Sequence, residues 1–149
     1  CLPVSTEQAW LFFSSPLNLP FITPPWLNLS PVDSVPDKMF PGMIIRYRVT
    51  PLAGLAVTWI SEITRVDPPR YFVDRQRCGP YRFWHHQHRF RPVRDGVEMI
   101  DKVTYGLKCD LFGTLIHKVF VGPRLKSIFN YRCRALEQIF TTDRVRATR

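Results

Sequence analysis

Hydrophobic and polar residues alternate with a period of two through the middle of the chain, from Gly42 to Leu107, and turn-forming residues divide this stretch. Successive side chains of a strand point to opposite faces, so the pattern predicts strands rather than helices. The five predicted strands are Met43–Thr50, Ala56–Val66, Tyr71–Cys78, Phe83–Val93 and Val97–Leu107.

The turn between the last two predicted strands determines which of their residues face each other. The Asp95-Gly96 pair is typical of a two-residue hairpin loop, and a hairpin closed there fixes the register of both strands. His88 and Asp101 then become diagonal neighbours on one face, about 7–8 Å apart at the backbone and within reach of each other's side chains. The predicted facing pairs are Arg94 with Val97, Phe90 with Asp101, His88 with Val103 and His86 with Tyr105.

One face of two neighbouring strands carries both aromatic and polar side chains. These residues are Phe72, Asp74 and Gln76 on one strand and Trp84, His86, His88 and Phe90 on the next. The opposite face carries arginines, namely Arg75, Arg77, Arg89 and Arg91, so it should face water while the aromatic face is covered. Burying an unpaired polar group costs about 1–3 kcal/mol. We therefore expect the covered polar side chains either to bond one another or to contact a ligand.

The segment before the strands predicts short helices. Ser5 through Gln8 has the pattern of a capping box, so a helix should begin near Thr6 and end before Pro16. The dense prolines that follow exclude a long helix or a central strand. We predict a second short helix over Leu17–Ile22, an edge strand near Trp26–Leu29, and then a loop at the rim of a cavity.

One long helix is predicted near the end of the chain. Gly122-Pro123 marks its start, because proline suits the first helical position, and the helical pattern continues to about Thr141. Its apolar stripe consists of Leu125, Ile128, Phe129, Leu136, Ile139 and Phe140. At about 100° per residue Arg132 falls in the middle of this stripe, so its guanidinium should point at the sheet. A buried arginine needs a carboxylate partner, which Asp74 or Asp101 can supply.

Length and composition favour a single domain spanning residues 1–149, with a flexible tail over residues 142–149. No apolar stretch approaches the roughly 20 residues that span a bilayer, and no signal peptide is recognisable at the start. The four cysteines, Cys1, Cys78, Cys109 and Cys133, lack the paired spacing of zinc or redox sites. We therefore predict reduced thiols and a cytoplasmic location.

The net charge of +9 raises the hypothesis of a basic nucleic-acid-binding module. The arginines recur at strand spacing, and few aromatic residues lie beside them to stack bases. They are Arg46, Arg48, Arg65, Arg75, Arg77, Arg89 and Arg91. A solvated outer face of the sheet explains this spacing better, so we predict no specific nucleic-acid partner and no membrane insertion.

Two short helices, a run of antiparallel strands and one long closing helix resemble the helix-grip fold of START lipid-transfer domains, birch-pollen-type allergens and polyketide cyclases, the SRPBCC superfamily. The stretches SPLNLPFITPP, FVDRQRCGPYRFWHHQHRF, MIDKVTYGL and IFNYRCRAL are similar to bacterial ligand-binding SRPBCC proteins of unassigned function. This resemblance spans nearly the whole chain. It implies an α+β fold in which a curved antiparallel sheet wraps around the carboxy-terminal helix and encloses a mostly apolar cavity, with a short first strand at or before Cys1–Val4. It implies no particular reaction, because members bind lipids, polyketides or hormones and only some are enzymes.

His85, His86 and His88 raise the hypothesis of a metal site, since two histidines at positions i and i+2 of a strand can hold one ion. A cupin-like site would need a glutamate shortly after this pair and a further histidine, but an Arg-Phe-Arg-Pro run follows and only His117 remains. An aspartate of the covered face could supply a third ligand. Because the sequence does not place that ligand, we predict no metal and no cofactor.

The favoured function is binding of a small hydrophobic or aromatic ligand, lipid-like or polyketide-like, in a cavity between the sheet and the last helix. The alternative is a cyclase or dehydratase, a lyase in which His86 and Tyr105 move protons, and a nucleic-acid-binding module ranks third. Asp101, His88 and Arg132 suit either a buried structural network or a polar end of the cavity, and we favour the structural role. The candidate ligand-binding residues are Trp59, Phe72, Asp74, Gln76, Trp84, His86, His88, Asp101, Tyr105 and Arg132.

Overall fold

A six-stranded antiparallel sheet, with its strands in chain order, is preceded by short helices and followed by one long helix. The computed structural model describes residues 1–52, 54–107 and 117–147. The elements are α1 (Thr6–Phe13), 3₁₀ helices at Pro16–Ile22 and Pro25–Leu27, β1 (Ser30–Pro31), β2 (Ile44–Leu52), β3 (Leu55–Asp67), β4 (Tyr71–Cys78), β5 (Phe83–Val93), β6 (Gly96–Gly106), a π-helical turn at His117–Val121 and α2 (Gly122–Ala147). This is the helix-grip α+β fold predicted from the sequence.

The N-terminal helix begins as its capping box predicts. The Ser5 hydroxyl accepts a hydrogen bond from the Gln8 backbone N–H at 3.1 Å, and the Gln8 side chain accepts one from the Ser5 backbone N–H at 2.9 Å. The second predicted helix is present as the 3₁₀ helix Pro16–Ile22. Both predictions of a short helix are therefore confirmed.

The predicted edge strand at Trp26–Leu29 is wrong in position. Pro25–Leu27 forms a 3₁₀ turn, which ends at Asn28 in the left-handed conformation with φ of 47°. Proline at the start of that turn favours helical dihedrals, and Asn tolerates positive φ better than most residues. The edge strand comes slightly later, as β1, and pairs with Tyr47 and Arg48 of β2.

The five longer strands lie within two residues of their predicted bounds. Their faces are also as predicted, because the covered face is buried and the arginine face is exposed. Several of these arginines are paired with acids: Arg46 with Asp33, Arg75 and Arg77 with Glu62, and Arg91 with Glu98. A solvated exterior with such ion pairs is the arrangement that the strand spacing favoured.

The predicted register of the β5–β6 hairpin is wrong by two residues. Its two-residue loop is Arg94-Asp95, and Val93 pairs with Gly96. Gly96 has φ of 149°, and a Cβ there would lie 2.0 Å from the carbonyl oxygen of Leu2. Glycine is thus required where Leu2 bridges β6 at Val97, not as the second loop residue. This single bridge lies in the segment where the resemblance implied a short first strand.

The closing helix starts at Gly122 as predicted but continues to Ala147, six residues beyond the predicted end at Thr141. Most of the segment expected to be a flexible tail is therefore helical. The sequence has no glycine or proline after Pro123, so nothing in it interrupts the helix. Arg132 is 8% exposed in the middle of the apolar stripe, which confirms its predicted phase.

Two apolar clusters flank the space between the sheet and α2. One joins α1, the sheet and α2 through Ala9, Phe13, Phe72, Phe90, Val97, Leu136 and Phe140. The other lies on β2 and β3 and contains Met43, Ile45, Tyr47, Val49 and Ile63.

Cys1, Cys78 and Cys133 are free and exposed, whereas Cys109 lies outside the described residues. No helix among the described residues is long and apolar enough to cross a membrane.

Candidate functional site

A cavity of about 190 Å³ lies between the inner face of the sheet and α2. Its walls are mostly apolar and come from the 3₁₀ helix Pro16–Ile22, strands β2 to β5 and the stripe of α2. Apolar lining residues include Phe12, Leu19, Ile22, Ile45, Val49, Trp59, Ile63, Phe72, Trp84, Leu125, Ile128 and Phe129. The polar lining consists mainly of Tyr47, Ser61, Asp74, Tyr81, His86, His88 and Arg132, together with residues near the proline-rich segment. The cavity is thus an apolar space with a few polar groups, which is the composition of small-molecule sites.

Strand pairing brings two aspartates and two histidines together on the covered face. Asp74 of β4 pairs with His86 of β5, and His88 of β5 pairs with Asp101 of β6. His86 and His88 point to the same side because they are two residues apart on one strand. Their rings are stacked at a tilt, with centroids 3.8 Å apart. The four side chains form what we call the Asp/His ring.

Each imidazole of the Asp/His ring presents one nitrogen to each carboxylate. His88 Nε2 lies 3.1 Å from Asp74 Oδ2, and His86 Nδ1 lies 3.5 Å from the same oxygen. On the other side His86 Nε2 lies 3.2 Å from Asp101 Oδ1. His88 Nδ1 is 2.7 Å from that oxygen, a close contact that does not have hydrogen-bond geometry. All four contacts thus converge on two carboxylate oxygens.

For three of the four members of the Asp/His ring, nearby charges outweigh the effect of burial on the pKa. Burial alone would raise the pKa of Asp74, but the hydrogen bond to His88 and the charges around it lower that pKa. The pKa of Asp101 is likewise held well below its usual range, against burial, by His88 and His86. Burial and the charge of His88 lower the pKa of His86, whereas the two aspartates overcome burial and raise the pKa of His88. Of the two imidazoles, His88 is therefore the one whose protonated form its surroundings favour.

Arg132 of α2 completes the polar cluster from the opposite wall. Its Nη1 lies 3.5 Å from Asp101 Oδ2, which confirms the predicted approach to a carboxylate. The contact is long, and the buried Nε has no hydrogen-bond partner. The guanidinium lies over the Phe129 ring, 5.1 Å from its centroid. Arg132 thus contributes a buried positive charge to the cavity wall and has donors to spare.

Aromatic side chains fix the orientation of the imidazoles. Phe72 stacks on His88 with ring centroids 4.1 Å apart. Trp84 and Phe129 lie nearly perpendicular to the His86 ring, with centroids 6.0 and 5.9 Å away. These neighbouring rings restrict rotation of the imidazoles, so the nitrogen positions of the Asp/His ring are set by packing as well as by hydrogen bonds.

The predicted site residues divide into two groups. Those that line the cavity are Trp59, Phe72, Asp74, Trp84, His86, His88 and Arg132, whereas Gln76, Asp101 and Tyr105 are not among its described lining residues. Gln76 instead fastens the β4–β5 turn, because its side chain donates to the Tyr81 carbonyl at 2.8 Å and accepts from the Tyr81 N–H at 3.4 Å. Asp101 is outside the cavity wall and contacts both histidines.

The predicted pairing of His86 with Tyr105 is wrong. Trp84 is the residue opposite Tyr105, and His86 faces Val103, because the hairpin register is shifted. Tyr105 packs against Tyr81 and Trp84, with ring centroids 5.4 and 5.8 Å apart. The two proposed acid/base residues are thus diagonal rather than facing neighbours, and the Trp84 ring contacts both of them.

Three polar residues of the cavity wall were missed by the sequence analysis. Tyr47 and Ser61 lie on the buried faces of β2 and β3, so strand alternation could have identified them. The Ser61 hydroxyl lies 3.5 Å from Asp74 Oδ1. Tyr81 lies in a turn, where alternation gives no prediction of direction. Burial raises the pKa of Tyr81 to about 12, so its hydroxyl remains a hydrogen-bond donor at neutral pH.

No protein-family model and no curated protein matches the sequence. Solved structures do match in fold. A protein from Thermus thermophilus is 20% identical with a TM-score of 0.67, and the match covers 95% of this chain and 93% of the other. A protein from Mycobacterium smegmatis is 18% identical with a TM-score of 0.69, covering 95% and 87%. The Bet v 1-like protein Ara h 8.0201 is 16% identical with a TM-score of 0.60, covering 95% and 93%.

These similarities concern the fold. At such low identity the matched structures show that this chain has a helix-grip fold over nearly its whole length, a fold compatible with binding a small ligand. They show neither a ligand nor a reaction. What the protein binds has to be argued from the cavity and the Asp/His ring.

Proposed function

We propose that this protein is a ligand-binding member of the SRPBCC superfamily and that it holds a small, mostly apolar or aromatic molecule between the sheet and α2. The observation that carries this proposal is the cavity of about 190 Å³ with a mostly apolar wall. An apolar cavity of about 150 Å³ is already large enough to hold benzene. A space of this size in a folded interior loses packing contacts, which a ligand of matching shape restores.

The polar end of the cavity favours ligands that carry at least one hydrogen-bonding oxygen. The buried Nε of Arg132 has no hydrogen-bond partner in the protein, and Tyr81 also lines the cavity. A purely hydrocarbon ligand would leave this Nε unpaired, which costs about 1–3 kcal/mol for a buried polar group. We therefore expect lipid-like or polyketide-like molecules with a carbonyl, carboxylate or hydroxyl group to bind more tightly than hydrocarbons of the same shape.

Neither alternative function is favoured by a specific observation. A cyclase or dehydratase that uses His86 with Tyr105 loses the facing pair on which it was based, and Tyr105 is not among the described residues that line the cavity with His86. A nucleic-acid-binding module would use the outer arginines, but several of these form ion pairs with Asp33, Glu62 and Glu98. The cytoplasmic location remains a prediction.

Displacement of the neutral fluorescent probe N-phenyl-1-naphthylamine tests this function. The probe should bind at about one molecule per chain and be displaced by fatty acids or aromatic polyketide-like compounds. Ile128→Trp and Leu125→Trp place an indole in the cavity and should abolish probe binding. Ile100→Trp is the matched control, because Ile100 lies 42% exposed on the sheet. Equal binding by all three variants would refute a ligand site in this cavity.

A further inference from the structure

We propose that Asp74, His86 and His88 form a binding site for a divalent transition-metal ion at the polar end of the cavity, with Asp101 as its outer carboxylate. The sequence offered two histidines at strand spacing but no assigned third ligand. Strand pairing supplies that ligand, because Asp74 lies directly across from His86 on β4. One potential donor atom from each of the three residues lies within 4.8 Å of the others.

The distances between the donor atoms suit a tetrahedral ion. Zinc bonds of about 2.0–2.1 Å at tetrahedral angles place neighbouring donors about 3.3 Å apart. Asp74 Oδ2 lies 3.1 Å from His88 Nε2 and 3.5 Å from His86 Nδ1, close to that spacing on either side. Two of the three donor–donor distances therefore already match a coordination tetrahedron, and the donor atoms of all three residues lie within 4.8 Å of one another.

Asp101 occupies the position of an outer-shell partner. Metal-bound histidines usually donate the other ring N–H to a carboxylate, which fixes the tautomer and the ring orientation. Here a single oxygen, Asp101 Oδ1, lies 3.2 Å from His86 Nε2 and 2.7 Å from His88 Nδ1, the nitrogens that point away from Asp74. A metal ion beside Asp74 would leave both of these nitrogens protonated and directed at Asp101. The contact at His88 Nδ1 has no aligned hydrogen bond in the protein alone, so it is the contact that a bound ion would improve.

The charges at the site are compatible with a divalent ion and leave one positive charge for an anionic ligand. Two carboxylates match the charge of a divalent ion, while Arg132 adds one further positive charge at the same wall. Asp74, His86 and His88 all line the cavity, so the remaining coordination position opens toward it. Two imidazoles and one carboxylate with an open position suit Zn²⁺ or Fe²⁺. If the cavity binds an organic ligand as proposed above, an anionic oxygen of that ligand is the expected fourth donor.

Zinc titration of the full chain, after removal of bound metal with a chelator, tests the site. Wild-type protein should bind one equivalent of Zn²⁺, and Co²⁺ at the same site should show the strong visible bands of tetrahedral coordination. Asp74→Asn should remove this binding, while Asp101→Asn should weaken it about 10- to 100-fold, as is typical of outer-shell partners. Circular dichroism of each variant separates loss of the site from loss of the fold.

The matched control is His85→Ala combined with His117→Ala, which leaves His86 and His88 as the only histidines of the chain. This double variant should bind Zn²⁺ with unchanged stoichiometry, because His85 is exposed on the other face of β5. X-ray absorption of zinc-loaded wild-type protein decides the case even if Asp74→Asn does not fold. It should show imidazole and oxygen scatterers at about 2.0–2.1 Å and no sulfur at about 2.3 Å.

The metal site is overturned by any of three results: no saturable zinc binding, a sulfur ligand, or binding that survives in a folded Asp74→Asn variant. In that case the Asp/His ring is a structural network that shares protons. Probe displacement repeated in the presence of the chelator keeps the two proposals separate. Displacement that persists there supports the ligand cavity whatever the outcome of the zinc titration.

Discussion

Arg132 is the residue whose replacement tests the buried polar cluster most directly. Its guanidinium is the only charge that α2 contributes to the cluster among the described residues, and it lies 3.5 Å from Asp101. Arg132→Met removes the cation and leaves the carboxylate buried, a change that typically costs about 3–5 kcal/mol. Because the contact is long and His88 still compensates Asp101, we expect the free energy of unfolding to fall by about 3 kcal/mol in urea titrations.

The exposed Arg134, two residues away on α2, provides the control for this substitution. Arg134→Met should change the free energy of unfolding by less than about 0.5 kcal/mol, as is usual for surface sites. A double-mutant cycle that combines Arg132→Met with Asp101→Asn should show coupling, because the second change removes the charge that the first leaves unpaired. Simple additivity in this cycle would mean that the two side chains do not interact.

At the scale of elements, the β5–β6 register can be tested with pairs of cysteines on the exposed face. Arg89 and Ile100 lie directly opposite each other. Facing residues of antiparallel strands are about 4.5–5.5 Å apart at Cα, which a disulfide can bridge. Arg89→Cys with Ile100→Cys should therefore oxidise readily, as measured by peptide mass mapping. Arg89→Cys with Lys102→Cys, the pair that the sequence-based register would join, should not, since diagonal positions are about 7–8 Å apart.

The same hairpin shows why strands were predictable while their register was not. Alternation identified each strand and its buried face, because a shift of one residue would turn Asp101 and the histidines toward water. A shift of two residues leaves every side chain on its original face, so alternation cannot detect it. Only the loop sequence could have distinguished the two registers. The Asp95-Gly96 pair indicated the wrong loop, because Gly96 is needed at the contact with Leu2. The error changed the partner of His86 from Val103 to Tyr105 and with it the proposed acid/base pair.

At the scale of the whole molecule, the cavity lies between three parts of the chain that do not pack fully against one another: the sheet, the proline-rich segment and α2. The proline-rich segment forms two 3₁₀ helices, of seven and three residues, and residues of both line the cavity. The stripe of α2 closes the other side, and Arg132 replaces an apolar side chain where the stripe would otherwise fill the centre. The sequence indicated the proline-rich rim and the arginine. It gave no indication of Tyr81, because a residue in a turn has no strand phase.

Ligand binding in this cavity should stabilise the whole chain. A ligand that binds only the folded state adds about 2.7 kcal/mol when present at about 100 times its Kd. For a chain of this length that corresponds to a rise of roughly 10 °C in Tm, measured by differential scanning calorimetry. Ile128→Trp should remove the rise because the indole occupies the cavity, whereas Ile100→Trp should retain it. A full rise in the folded Ile128→Trp variant would place the ligand elsewhere, for example on exposed apolar side chains such as Leu11, Phe21 and Phe120.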